Sequence, residues 1–133
     1  MTVNTVLLQL SYEEQDEIFQ KFVEKYPNLK CIARHVRYAH SGSQNSLKAF
    51  LWYEGHTFES KIFTFNILDR VGGGDALASG LIYAMMNDYK PMDIANFAVA
   101  SSVLKHTIRG DATITDNATE IKNIMNQNFD IKR

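Results

Sequence analysis

One stretch of the sequence combines residue types that could handle a phosphoryl group: three consecutive glycines, Gly72 to Gly74, followed directly by Asp75. The residues after Asp75 are mostly alanine and larger apolar types, and this pattern predicts a helix. The first N–H groups of a helix have no partner within it, and the peptide dipoles add partial positive charge at the same end. Because glycine lets a phosphate approach the backbone closely, the stretch predicts an anion site at the start of a helix.

Asp75 makes the predicted chemistry more specific. Its carboxylate would repel a phosphate that stayed bound at the helix start, so this residue is a poor choice for anion binding alone. In a phosphoryl transfer, however, the carboxylate can take the proton from an attacking hydroxyl while the glycine N–H groups stabilise the charge on the transferred group. A glycine turn followed by an acidic helix cap is the simpler interpretation, and it stays open at this point.

Two other glycine-rich phosphate loops are excluded by the residues that follow. A P-loop requires Lys-Ser or Lys-Thr after its last glycine, whereas this sequence has Asp75 and Ala76. A dinucleotide-binding fingerprint requires glycine or another small residue where Leu77 stands. The stretch therefore belongs to neither class.

The stretch resembles the C-terminal motif of the ribokinase-like (PfkB) carbohydrate kinases, which reads approximately Asp-Thr-x-Gly-Ala-Gly-Asp. The matching positions are Asp69, Gly72, Gly74 and Asp75. Arg70 stands in place of the threonine, and Gly73 stands in place of the alanine. A second motif, Leu104 to Asp111, makes the chain look most like the 2-keto-3-deoxygluconate kinases of this family, and the resemblance begins at about Tyr12.

This resemblance implies roles for individual residues. Asp75 would be the catalytic base, and the N–H groups of Gly72, Gly73 and Gly74 would form the anion hole. Asp69 would structure the loop near the phosphates and a cation, although an acid at such a position is also a common turn former. The resemblance implies ATP and Mg²⁺ as cofactors, with a monovalent cation as a further candidate.

Nucleotide contacts are implied in a loop between two predicted strands, Tyr38 to Ser46. The family places a nucleotide-contacting loop there, which makes Ser41, Gly42 and Ser43 candidates. The loop is rich in small polar residues, so a solvated connection is the alternative.

The family also lines part of its adenine pocket with the helix that Pro91 opens in this sequence. Val99 stands where the family often has an asparagine, so the base would be recognised there by apolar contact or not at all. Lys105 and His106 could approach the nucleotide phosphates, and a solvated helix end is the alternative for both.

The hydrophobic pattern predicts the elements that position these residues. Ser11 and Glu14 form a capping box at the start of a first helix, which Pro27 ends. The predicted elements are a helix over about Tyr12 to Tyr26, strands over Leu29 to Arg37, Leu47 to Tyr53 and Thr57 to Phe63, a helix from Asp75, a helix from Pro91 to near Gly110, and a last helix that Asp116 caps. We therefore expect an α/β chain, namely the C-terminal part of a ribokinase-like three-layer α/β/α fold with about three strands and four helices.

Length and composition limit the class of protein and its partners. The chain has 133 residues, of which 45% are hydrophobic, a net charge of -1 and one cysteine. These values predict one domain, no attraction to nucleic acid or anionic membranes, and no internal disulfide, which suits the reducing cytoplasm. The apolar run within Met1 to Leu10 is too short for a signal peptide or a membrane span. The four histidines share no metal-ligand spacing.

Kinases of this family are considerably longer, and the part without a counterpart here is N-terminal. The resemblance therefore implies that residues 1–133 form a single partial kinase domain that lacks the N-terminal half and the lid. An uncovered sheet edge would favour self-association, or association with the missing half. The chain would then be a portion of a kinase for 2-keto-3-deoxygluconate or a related sugar acid. A catalytically inactive fragment that at most binds nucleotide or phosphate is one alternative, and an unrelated anion-binding module is another.

Overall fold

The computed structural model of the 133-residue chain describes residues 11–68, 72–106 and 118–126. In these ranges the chain forms one helix, then four strands, then three helices. The elements are α1 (Tyr12–Lys25), β1 (Cys31–Ala39), β2 (Gln44–Tyr53), β3 (His56–Glu59), β4 (Phe63–Asn66), α2 (Gly73–Met86), α3 (Pro91–His106) and α4 (Ala118–Asn126). The predicted α/β class and the order of elements are confirmed, with four strands where about three were expected.

The four strands form one antiparallel sheet with β2 at its centre. β1 pairs with β2 on one side, while β3 and β4 pair with opposite ends of β2 on the other side. The predicted third strand, Thr57 to Phe63, thus ends early at Glu59, and a separate strand, β4, begins at Phe63. Between the two strands, Ser60 donates its N–H to the carbonyl of Ala49 (2.9 Å) and accepts the N–H of Ala49 with its hydroxyl (2.8 Å). These two bonds satisfy the backbone of β2 where β3 ends.

β1 and β2 extend further toward their connecting loop than the sequence predicted, while β1 begins at Cys31 rather than at Leu29. Their ladder continues to the pair Ala39 and Asn45, so the connecting loop is residues 40–43 rather than Tyr38 to Ser46. Ser46 is buried in the sheet and shares a hydrogen bond with Thr64 of β4 (2.7 Å). Such cross-strand bonds let polar residues continue a strand that their type alone would assign to a loop.

Helices cover both faces of the sheet. Alternate residues of a strand point to opposite faces, and in β2 the side chains of Leu47 and Leu51 face the large core formed with α2, α3 and α4. Phe50 and Trp52 face the other way and form a smaller core with Phe19 of α1. The expected three-layer α/β/α arrangement is confirmed.

α3 is the central helix of the larger core. Every residue from Ile94 to His106 is buried, so this helix lacks the solvated side of an ordinary surface helix. α2 packs closely against it at Gly80, where an added Cβ would overlap the side chain of Ser101. No helix in the described ranges is long and apolar enough to cross a membrane.

Candidate active site

The glycine segment, Gly72 to Asp75, forms the start of α2, as the sequence predicted. Gly72 is the N-cap residue and has a φ of 84°, a backbone conformation that other residues adopt only with strain. Its carbonyl accepts the N–H of Ala76 (2.9 Å). Within the described ranges we find no acceptor for the N–H groups of Gly73 and Gly74. These groups lie at the positive end of the helix dipole and can bind an anion.

Asp75 lies in the first turn of α2, and its side chain is exposed. Among the residues that the structure describes, it takes part in no ion pair. Gly74 beside it is also exposed, and an added Cβ there would meet no atom of the described residues within 4 Å. The carboxylate is therefore accessible to an acceptor hydroxyl bound next to the glycine N–H groups.

Gly73 lies on the opposite, buried side of the same turn. An added Cβ would lie 2.5 Å from Cε1 and 3.0 Å from Nε2 of His106, which is closer than van der Waals contact allows. The carbonyl of Gly73 accepts a hydrogen bond from Oγ of Ser102 (3.0 Å). In this chain, glycine in place of the family's usual alanine thus has a steric reason.

His106, at the end of α3, is fully buried beneath this turn. Its Nδ1 lies 2.6 Å from the carbonyl oxygen of Ser102, and its Nε2 lies 2.8 Å from Nη2 of Arg37. Its own carbonyl accepts the N–H of Leu68 (2.7 Å). The alternative of a solvated helix end is wrong for His106 and also for Lys105, which is 1% exposed. The reason is that the last turn of α3 packs against the sheet and the glycine segment.

Arg37 connects His106 to the sheet, and the sequence analysis did not identify it. Its Nη1 donates to Oδ1 of Asn45 (2.8 Å), a residue that is fully buried. Strand periodicity could have indicated its direction, because Arg34 and Arg37 are three residues apart and must face opposite sides of the sheet. Arg34 donates to Gln15 of α1 (3.1 Å), which leaves Arg37 facing the side of the glycine segment.

The loop between β1 and β2 is fixed to the chain segment that leads into the site. The hydroxyl of Ser41 accepts the N–H groups of Ser43 (3.2 Å) and Gln44 (3.0 Å), which forms a serine turn. The carbonyl of Ser43 accepts the N–H of Ile67 (2.5 Å). Ser41, Gly42 and Ser43 are exposed, so the loop is accessible to a ligand. Its contacts with a nucleotide stay a prediction.

The remaining candidate residues are either buried or lie outside the described ranges. Val99 is fully buried in the larger core, so it offers no side-chain surface to adenine, and the predicted apolar contact has no support in this fold. Lys105 is buried as well, and its contact with nucleotide phosphates stays a prediction. Asp69 lies outside the described residues, as do residues 107–111 of the second motif.

The charge of Arg37 also acts along β1. The pKa of His35, two residues away, is lowered first by partial burial and then by the positive charges of Arg37 and Arg34. Burial alone raises the pKa of the Cys31 thiol at the other end of the strand. Arg37 also places its positive charge beside His106, to which it is hydrogen-bonded beneath the first turn of α2.

Comparison with known proteins shows that the fold of the chain is similar to part of several solved kinase structures. No family model matches the sequence, and no curated protein matches it. The chain is similar to a 2-dehydro-3-deoxygluconokinase from Thermotoga maritima, with 31% sequence identity and a TM-score of 0.80, over 87% of this chain and 35% of that chain. A PfkB family carbohydrate kinase from Listeria grayi is 33% identical with a TM-score of 0.71, over 80% of this chain and 32% of that chain. A solved structure from Enterococcus faecalis is 31% identical with a TM-score of 0.75, over 91% of this chain and 35% of that chain.

The chain thus spans about a third of the length of the solved structures that it matches, between 32% and 35%. It has the fold of a portion of these kinases and resembles them in sequence over most of its own length. The resemblance that the glycine motif indicated is confirmed.

Proposed function

We propose that this chain, a portion of a PfkB family carbohydrate kinase, is the catalytic and nucleotide-binding part of an ATP-dependent sugar-acid kinase. The reaction would transfer the γ-phosphoryl group of ATP to a hydroxyl of 2-keto-3-deoxygluconate or a related carbohydrate. The observation that carries the proposal is the start of α2, where the exposed carboxylate of Asp75 lies beside glycine N–H groups that lack an acceptor in the described ranges. The substrate class is supported by the name of the similar kinase from Thermotoga maritima.

Each residue of the glycine segment has a role in this proposal. Asp75 takes the proton from the acceptor hydroxyl as the γ-phosphoryl group arrives in line. The N–H groups of Gly72, Gly73 and Gly74 stabilise the negative charge on the transferred group, and the helix holds them in place before the reaction begins. The open space outside Gly74 lets a phosphate reach the backbone.

ATP, Mg²⁺ and a monovalent cation are part of the proposal. When bound, Mg²⁺ would neutralise charge on the β- and γ-phosphates. The described residues contain no group of three or more histidine, cysteine, aspartate or glutamate side chains that could hold a metal ion. Phosphate and water oxygens would supply most Mg²⁺ ligands in this proposal. Asp69 is proposed to structure the loop near the cation and the phosphates, and Ser41, Gly42 and Ser43 are proposed for the nucleotide.

The proposal is tested by a coupled kinase assay with ATP and 2-keto-3-deoxygluconate, together with calorimetric titration of ADP in the presence of Mg²⁺. We expect Asp75→Asn to lower turnover while ADP binding stays largely unchanged, because the carboxylate acts on the acceptor hydroxyl. Asp93→Asn is the matched control, since Asp93 also lies in the first turn of a helix but at the far end of α3 from His106. Unchanged turnover of the Asp75→Asn variant would show that the assigned base is wrong.

A second candidate function is favoured by the length of the chain. The chain covers 35% of the Thermotoga maritima kinase, so it could bind nucleotide or phosphate without turning over a sugar. The same two experiments separate the candidates. ADP binding without turnover by the unchanged chain supports the inactive fragment, whereas the absence of both binding and turnover contradicts both candidates.

Association is also part of the proposal, either with a second copy or with a polypeptide that supplies the rest of the kinase. Large apolar side chains that are exposed on two helices support it, namely Phe22 of α1 and Ile82 and Met86 of α2. Size-exclusion chromatography should show a dimer or aggregation, and a well-behaved monomer with a sharp thermal transition would contradict this part.

We further propose a cytoplasmic location, where the single cysteine, Cys31, stays reduced.

A further inference from the structure

The buried polar cluster below the glycine segment takes no part in the proposed proton transfer. It consists of His106 and Ser102 of α3, Arg37 of β1 and Asn45 of β2. We propose that His106 is a positioning residue that holds the backbone of Gly72 to Gly74 in its anion-binding conformation. This inference rests on the proposed function of those N–H groups.

The hydrogen-bond partners of the His106 ring fix its tautomer. A backbone carbonyl can only accept, so Nδ1, which lies 2.6 Å from the carbonyl oxygen of Ser102, carries a hydrogen and donates it. A guanidinium can only donate, so Nε2 accepts from Nη2 of Arg37 at 2.8 Å. Both ring nitrogens are therefore engaged, and the neutral ring is held in one orientation.

This ring sets how closely the start of α2 approaches α3. Gly73 lies so near the ring that a Cβ would meet Cε1 at 2.5 Å. Two hydrogen bonds from the same part of α3 act together with this contact. Oγ of Ser102 donates to the carbonyl of Gly73 (3.0 Å), and the carbonyl of His106 accepts the N–H of Leu68 (2.7 Å). The last turns of α3 thus hold the backbone both at Leu68 and at Gly73.

Arg37 and Asn45 anchor the ring to the sheet. Nη1 of Arg37 donates to Oδ1 of Asn45 (2.8 Å), while Nη2 bonds to His106. Hydrogen bonds from a charged donor in a partly buried site are stronger than neutral ones. Rigidity matters because N–H groups stabilise a developing charge best when they need not move, and a misplacement of about 1 Å can lower a rate on the order of 10²-fold.

The first experiment measures backbone amide frequencies of the ligand-free chain by NMR. His106→Leu keeps a side chain of moderate size but removes both ring hydrogen bonds, whereas His106→Gln keeps an oxygen that can accept from Arg37. We expect the amide resonances of Gly72 to Gly74 to shift in the His106→Leu variant. They should return toward their original frequencies in the His106→Gln variant.

Two arginine variants give a matched pair that also covers the case in which His106→Leu fails to fold. Arg37 and Arg34 lie on the same strand, but Arg37 bonds to His106 while Arg34 bonds to Gln15 on the other side of the sheet. We expect Arg37→Met to shift the glycine amides and Arg34→Met to leave them in place. Equal shifts in both variants, or unchanged glycine amides in Arg37→Met, would overturn the proposal.

The second experiment titrates the same variants with ADP in the presence of Mg²⁺ and records their thermal unfolding. We expect His106→Leu and Arg37→Met to weaken ADP binding about tenfold, and His106→Gln to weaken it less. Lower melting temperatures with unchanged ADP affinity would show a purely structural role and overturn the inference. If the unchanged chain binds no ADP, the proposed function fails, and the amide shifts of the ligand-free variants still decide whether His106 positions the glycine segment.

Discussion

The two sides of the first turn of α2 have opposite physical properties. On the outer side, Gly74 and Asp75 are exposed, and an added Cβ at Gly74 would meet open space. On the inner side, Gly73 is buried against the ring of His106, and its carbonyl accepts a hydrogen bond from Ser102. A single helical turn is therefore open on one side and tightly fixed on the other.

This difference suits the two requirements of phosphoryl transfer. A group that exchanges a proton with the substrate must be accessible, while the donors that stabilise charge must be held in place before the reaction. The outer side of the turn meets the first requirement through Asp75. In the proposed reaction, the inner side meets the second, because Gly73 is in contact with α3 through His106 and Ser102.

The largest expected effect lies on the outer side. Asp75→Asn should lower turnover by a factor on the order of 10² to 10⁴, because it removes a general base. Its melting temperature should stay near that of the unchanged chain, since the carboxylate is exposed and forms no ion pair within the described ranges. The measurement is kcat in the coupled assay, with Asp93→Asn as the control. A large drop in melting temperature would show that Asp75 has a structural role and would weaken the distinction between the two sides.

Alanine substitutions at neighbouring glycines test the comparison through stability. Gly73→Ala should destabilise the fold by about 1 to 3 kcal/mol, because the new Cβ must displace the His106 ring. Gly74→Ala should be neutral or should stabilise by up to about 1 kcal/mol, since it places a better helix former in open space. Denaturant unfolding of both variants measures the difference. Equal free energies of unfolding would mean that the inner side is not tightly packed.

The outer side could be predicted from the sequence because its chemistry is local. The glycines and Asp75 are adjacent in the chain, and a helix start in a glycine run has known properties. The inner side could not be predicted in this way. Arg37 and His106 are 69 positions apart and meet only through the register of the sheet and the packing of α3. No local pattern contains that information.

Two differences in the fold have similar causes. Lys105 and His106 have the residue types of a solvated helix end, but tertiary packing buries them and supplies hydrogen-bond partners for the His106 ring. The predicted third strand ends early because Ser60 satisfies the backbone of β2 with its own side chain and N–H group. In both cases the structure depends on a contact between two different elements of the fold. Local propensity predicted the neighbouring elements correctly.

Serine substitutions on α3 should give a smaller effect than the glycine pair. Ser102→Ala removes the hydrogen bond to the carbonyl of Gly73 and should lower the free energy of unfolding by about 1 kcal/mol. Ser101→Ala should cost less, because within the described ranges the hydroxyl of Ser101 bonds only to the carbonyl of Phe97 in its own helix. Denaturant unfolding compares the two. An equal or larger loss for Ser101→Ala would indicate that the link between Ser102 and Gly73 contributes little to the rigidity of the inner side.

The smallest expected effect is a change in the titration of His35, which senses the charge of Arg37. The pKa of His35 lies below its ordinary value of 6.5, first because of partial burial and then because of Arg37 and Arg34. The unfolded chain therefore binds a proton at His35 more readily than the folded chain, so stability decreases as the pH falls below that ordinary value toward the folded pKa. Arg37→Met should raise the folded pKa of His35 and reduce this loss.

NMR titration of the His35 ring and denaturant unfolding over about pH 5 to 8 measure both quantities. Arg34→Met is the control, and it should raise the pKa of His35 less than Arg37→Met does, because Arg34 makes the smaller contribution. The shift should be accompanied by movement of the glycine amides in Arg37→Met but not in Arg34→Met, since Arg37 is bonded to His106 and Arg34 is bonded to Gln15. If the His35 titration is unchanged in Arg37→Met, the guanidinium of Arg37 does not lie near His35. Arg37 would then not be the residue that anchors the inner side of the turn.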